Sequence, residues 1–292
     1  VTARTAFTRI AVGRARVVRE IRAAAPLMAE LSAPVTARGP WLTAVLNERA
    51  AHRFPGRPVA VVVEGHRQGR PDAVAFLLLR RRGPATVVTM LGDGAAPTPP
   101  GRPPARLLAR DDATAALLAA GIADLLHSVR RPLRVRLIGL PLGDPTAAAL
   151  MTRLPDGVIG TARTHRLVDD LGGAGTVDRS RDPRVLERWL PALLQHEADR
   201  RARGFLRAAA RLHAAIGQVE LAVITEGVAT DRNRLRAALL TLVDGDDRWP
   251  WWGFAEHDGA ALPTELGAPL VELASPARWP PVPGLRSRSA AR

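Results

Sequence analysis

Three groups of residues have the types and spacing to do chemistry. Trp249, Trp251 and Trp252 are half of the chain's six tryptophans, and Asp244, Asp246 and Asp247 stand beside them. Indole rings bury apolar ligand area and carry one directed N–H donor, so this cluster is a candidate ligand- or partner-facing patch. Burial of the same rings under the second half of the chain is the structural alternative. The second group is Arg200, Arg203, Arg207 and Arg211, spaced to share one face of a helix. Such a ridge could hold a phosphate or a nucleotide, and a solvated helix face explains it more simply.

The third group is the histidines. Arg200 stands where a helical zinc motif opening at His196-Glu197 would need its second His, and His213 is about five helical turns further on. Asp244, Asp246 and Asp247 are out of register with a calcium loop. No metal is expected. The absence of cysteine excludes disulfides and thiolate chemistry, and no GxSxG elbow points to a serine nucleophile.

The elements that must position these groups follow from hydrophobic periodicity. Val59–Glu64, Ala73–Arg80 and Thr86–Leu91 are short β-branched runs that read as consecutive strands. Arg81-Arg82-Gly83-Pro84 suits a tight hairpin between the last two. Asp111 and Asp112 open a helix to about Ser128, and Leu133–Leu140 is a further strand. Ala95–Pro104 has five prolines in ten residues and is a semi-rigid connector. Further on, Asp182 caps a helix with the stripe Val185, Leu186, Trp189, Leu190, Leu193 and Leu194. Gln218–Thr225 is a strand, and Asp231 is expected to cap a helix through Val243.

The order strand, RRRG, strand, LGDG, Pro-rich loop, acid-capped helix, RxRLxGLPLGDP resembles the first half of the CelD-like acyltransferases of the GNAT superfamily. It rests on Leu79–Gly83, Leu91–Gly94 and Leu137–Pro141, within residues 41–155. The resemblance implies an α/β fold of two mixed-sheet halves, the second reduced. It implies an acyl-CoA-dependent N-acyltransferase acting on an envelope sugar, lipid or peptide amine. Such an enzyme needs a base for the amine, for which Glu226 and His257 are the candidates, and Arg200, Arg203 and Arg207 would hold the cofactor. In that family a helix N-terminus after a Gly-containing turn supplies donors for the cofactor pyrophosphate. No such turn is evident in the second half. The alternative is a non-catalytic acyltransferase-like protein that binds a partner or an anionic ligand through the tryptophans and the basic helix.

Composition narrows the partners. The formal net charge is +14, but all 42 basic residues are arginine and tyrosine is absent, the codon bias of a GC-rich bacterial genome. With 4% aromatics there is little for bases to stack on, which argues against a nucleic-acid partner. Thr8–Ala25 reads as a basic amphipathic helix, a pattern that touches anionic membranes, although packing on its own domain explains it more simply. No run of eighteen apolar residues occurs, and the expected location is cytoplasmic. The expected organisation is a basic N-terminal segment (1–40), a first α/β domain (41–170), a linker (171–182) and a second, helix-rich domain (183–274). A Pro/Arg-rich tail (275–292) follows.

Overall fold

The computed structural model describes residues 6–51, 56–65, 69–130, 132–226, 234–255 and 262–278. The stretch expected as one N-terminal helix is a strand and a helix, β1 (Phe7–Val12) and α1 (Arg14–Ala23), separated by Gly13 at φ 94°. Pairing of every β1 residue with the second strand decides for the strand there. Two helices follow, α2 (Ala25–Glu30) and α3 (Gly39–Ala50), the latter with Pro40 in its first turn. β2 (Arg57–Glu64), β3 (Pro71–Arg82) and β4 (Ala85–Met90) complete an antiparallel meander in the order β1-β2-β3-β4. Gly83 takes φ 61° in the expected hairpin.

After a long loop come β5 (Leu108–Ala109), α4 (Asp112–Ser128), β6 (Leu133–Pro141), α5 (Pro145–Met151) and β7 (Val158–Leu167). β6 runs parallel to β4, which requires a crossover, and α4 supplies it. The helix lies close to the sheet at Gly121, where a Cβ would come within 2.3 Å of the Thr8 side chain and 2.9 Å of Val61.

The chain then repeats its opening plan. β8 (Asp178–Ser180), α6 (Pro183–Leu193), α7 (Arg200–Ala214), β9 (Val219–Glu226), β10 (Arg234–Asp244) and β11 (Asp247–Ala255) follow, and the four strands form a second antiparallel sheet. Its order is β8-β9-β10-β11, so strand, helices and three strands recur with the same neighbours as β1 to β4. The helix expected from Asp231 to Val243 is corrected, from Arg234 on, to the strand β10, and Asp231 itself lies outside the described residues. The leucines of β10 fit either period, but the strand is paired on both edges and buried along most of its length, and that selects the extended form.

β12 (Thr264–Arg278) leaves the second unit and inserts between β6 and β7. It occupies residues expected in the second domain and the tail, so the two halves interlock through the last strand of the chain. Pro269 and Pro276 sit at or within its register shifts, between Leu266 and Pro269 and between Ser275 and Arg278, where a missing N–H breaks no regular ladder. The architecture is α/β with two unequal halves. Mixed pairing belongs to the first sheet, and the second is antiparallel because it has no counterpart of the α4–β6 crossover.

One core joins the halves. Val62, Val74, Phe76 and Leu78 from the first sheet, Trp41 from α3, Phe205 and Leu206 from α7, and Leu240 and Trp251 from the second sheet belong to a single buried cluster. The opposite face of the first sheet packs on α4 and α5 through Leu118, Ile122 and Leu150. No helix among the described residues is long and apolar enough to cross a membrane.

Candidate functional site in the cleft between the repeats

β4 and β6 pair only from Thr86–Leu133 to Thr89–Arg136. Beyond that point they part, because β4 ends at Met90 while β6 continues to Pro141. β4 and β5 both pair with β3, Met90 opposite Leu77 and Leu108 opposite Val74. They are thus two pieces of one strand line, and residues 91–107 form a long excursion out of it. The excursion folds back into the splay, where the Ala105 N–H donates to the Gly139 carbonyl at 3.1 Å. Gly139 has φ 79°, and a Cβ there would meet the Pro104 ring at 2.8 Å, so only glycine allows this approach.

The second repeat is interrupted at the matching place. Leu240 pairs with Trp252 and Thr241 with Pro250, which leaves Trp251 as the extra residue of a β-bulge. Trp249 and Trp252 lie opposite Leu242 and Leu240 on the core face, and the bulge turns Trp251 to the same side. The two interruptions meet: the Trp251 indole donates to the Pro97 carbonyl at 2.8 Å, and the Trp249 indole donates to that of Pro100.

Two cavities open along this junction. The larger, about 510 Å³, lies among the turn after α2, the excursion, the β6–α5 loop and the β10–β11 turn. Its volume is in the range of small-molecule sites. Its rim carries two ion pairs that bridge the repeats, Arg38 with Asp244 at 2.6 and 2.8 Å and Arg102 with Asp247. Arg102 also lies 5.6 Å over the Trp249 ring. Its guanidinium holds the Asp247 carboxyl below the usual range. The smaller cavity, about 140 Å³, sits in the splay itself among Trp41, Phe76, Met90, Ile138 and Leu270, and shares Ala105 and Arg106 with the larger. The pair makes an apolar slot with a charged mouth.

Asp144 is the titratable residue that the sequence reading missed. It lines the larger cavity and is buried, and burial pushes its carboxyl above the usual range against the Ala147 and Leu107 N–H groups it accepts from. A signal was present, since an Asp before Pro145 marks a helix cap, but its cavity depends on β10 and β11, a hundred residues away in sequence.

The residues singled out from sequence do not gather at this cleft. Arg200 and Arg207 are exposed and Arg203 half-buried on the outer face of α7, while Arg211 of the same ridge pairs with Glu187 at 2.6 Å. Glu226 ends β9 opposite Arg234, and His257 lies outside the described residues. The expected patch of Trp249, Trp251 and Trp252 is corrected to core: the rings are 4%, 1% and 9% exposed. Trp249 also lines the wall of the larger cavity. The Trp252 indole donates to Glu197 at 3.1 Å, and His196 stacks on Phe254 with ring centroids 3.5 Å apart. No group of three His, Cys, Asp or Glu that could hold a metal ion occurs among the described residues.

The cofactor implied by the family resemblance can be tested on the N-termini of α4 to α7; α1, which opens after β1 and Gly13 with no side-chain cap and no acid in its first turn, is not closed in the way they are. α4 opens directly after β5, through Arg110 and Asp111. Asp111 Oδ1 accepts the Thr114 N–H at 2.8 Å in a capping box, and that bond holds its carboxyl below the usual range. Asp112 follows in the first turn. Arg110 is committed to Asp72 at 3.2 Å and to Glu30. α5, α6 and α7 are likewise capped by Asp144, Asp182 and Asp199. These groups do not suit a diphosphate, which needs free N–H donors and a positive field.

No family model matches the chain, and no curated protein matches it. Among solved structures it is similar to a tandem GNAT protein from the clavulanic acid biosynthesis pathway, without AcCoA. The identity is 14%, over 93% of this chain and 98% of that one, with a TM-score of 0.36. At that TM-score nothing about this chain rests on the likeness.

Proposed function

We propose that the chain is a non-catalytic acyltransferase-like protein that holds a small ligand in the cleft between its repeats. The observation that carries this reading is the pair of carboxylates, Asp111 and Asp112, at the N-terminus of the crossover helix. A cofactor diphosphate there would meet two negative charges and a donor already taken by Asp111. The described helices of the second repeat, α6 and α7, are closed in the same way by Asp182 and Asp199. The cleft is a binding site of another kind. Its slot suits a short apolar group, and its mouth, with Arg38, Arg102 and Arg106 set against Asp144, Asp244 and Asp247, suits a polar head of little net charge.

The acyl-CoA-dependent N-acyltransferase reading keeps one observation in its favour. A buried carboxylate with a raised pKa facing a cavity is a fitting general base, and Asp144 is one. Thiol release from acetyl-CoA and from a longer acyl-CoA, in the presence of amino-sugar, polyamine and dipeptide acceptors, separates the two. The expected result is release at the protein-free rate with every acceptor. Release above that rate, lost in Asp144→Asn, would restore the enzyme.

A further inference from the structure

We propose that β7 is the surface through which two copies of this chain pair, edge to edge and antiparallel. β7 is the terminal strand of the first sheet, ten residues long, and its inner edge is satisfied by β12. Among the described residues nothing pairs with its outer edge. Every side chain from Val158 to Arg163 is exposed, with Val158 at 64% and Ile159 at 46%, and Leu266 on the neighbouring strand is 65% exposed. Only its last residues lie against the second sheet, where Arg166 and Leu167 share a cavity wall with Pro250. A long, exposed edge is a template for another strand, and soluble proteins blunt such edges with proline, a bulge, an inward charge or charged side chains on the edge, the last of which β7 carries only from Arg163 on. Residues 158–166 of β7 contain no proline, and the register with β12 is unbroken from Val158 to Arg163.

The charge pattern selects the partner. β7 has no carboxylate. Its first half is apolar and small, and its basic side chains, Arg163, His165 and Arg166, lie in its second half, with Arg166 paired to Glu265 of β12. Parallel pairing of two copies in register would set like charges side by side. Antiparallel pairing about Ala162 places Arg163 opposite Thr161, His165 opposite Ile159 and Arg166 opposite Val158, so each basic side chain faces an uncharged residue. The strand is therefore complementary to itself in one direction only, the property a two-fold interface needs.

Sedimentation velocity of the full chain over a range of concentrations tests this. The expected species has twice the 31.2 kDa mass of the chain. Ile159→Arg with Thr161→Arg, both exposed positions, is expected to return it to the monomer with an unchanged circular-dichroism spectrum. A wild-type monomer at all concentrations, or a dimer that survives both substitutions, overturns the proposal. Amide exchange of wild-type β7 does not depend on the variant folding. Alternate amides of residues 158–166 are expected to slow with rising protein concentration. Exchange that is fast throughout overturns self-pairing, and so does equal protection at every concentration, which would assign the edge to another segment of the same chain.

Discussion

Trp251→Ala is expected to destabilise the protein by about 3–5 kcal/mol, the usual cost of truncating a large aromatic in a packed core. The ring is 1% exposed and lies 5.4 Å from the Trp41 ring at 64°, an edge-on contact. Its N–H holds the excursion through Pro97. Truncation therefore leaves a cavity, an unpaired carbonyl and a loosened wall of the cleft together. Urea unfolding followed by tryptophan fluorescence measures the loss as a lowered midpoint. A surface patch residue would cost less than about 0.5 kcal/mol, and a value that small would return the tryptophans to the surface.

The second large effect is a dependence on pH. His213 of α7 is fully buried in the core shared by the halves, with its ring 6.1 Å from Trp41. Neither ring nitrogen has a hydrogen-bond partner, although the Gln218 side chain lies close by. Burial pushes its pKa down to about 4, from 6.5 for a free imidazole. Between those values the unfolded chain binds a proton that the folded chain refuses. The contribution of the neutral ring is complete above about pH 6.5 and is lost as pH falls toward 4. A shift of this size is worth about 3 kcal/mol. His213→Leu removes the titrating group, so the difference in unfolding free energy between wild type and variant should change by that order between neutral pH and pH 4. Parallel pH profiles for the two proteins would contradict the burial of a neutral imidazole.

Elements with local signals were legible in the sequence. The strands from Val59 to Leu91, the Gly83 turn and the Asp111 cap follow from side-chain period, positive φ and capping chemistry, all within a few residues. What escaped was decided at long range. β10 reads as a helix until the partners on both its edges are known. The end of β12 reads as the start of a proline-bearing tail, and its first part as second domain, until its prolines are seen to fall at register shifts. The tryptophans look too crowded to point one way, and the bulge at Trp251 is what allows it. The cleft was hidden for the same reason, because its rim pairs Arg38 with Asp244 and Arg102 with Asp247 across the two repeats.

Isothermal titration with acetyl-CoA at low and at high salt tests most directly whether this protein binds acyl-CoA. Arginines on the outer face of α7 are expected to give weak heats at low salt that vanish when the charges are screened. A saturable heat that survives high salt and is unchanged by Arg200→Ala with Arg207→Ala would contradict a protein without a cofactor site, because acetyl-CoA would then be held despite Asp111 and Asp112.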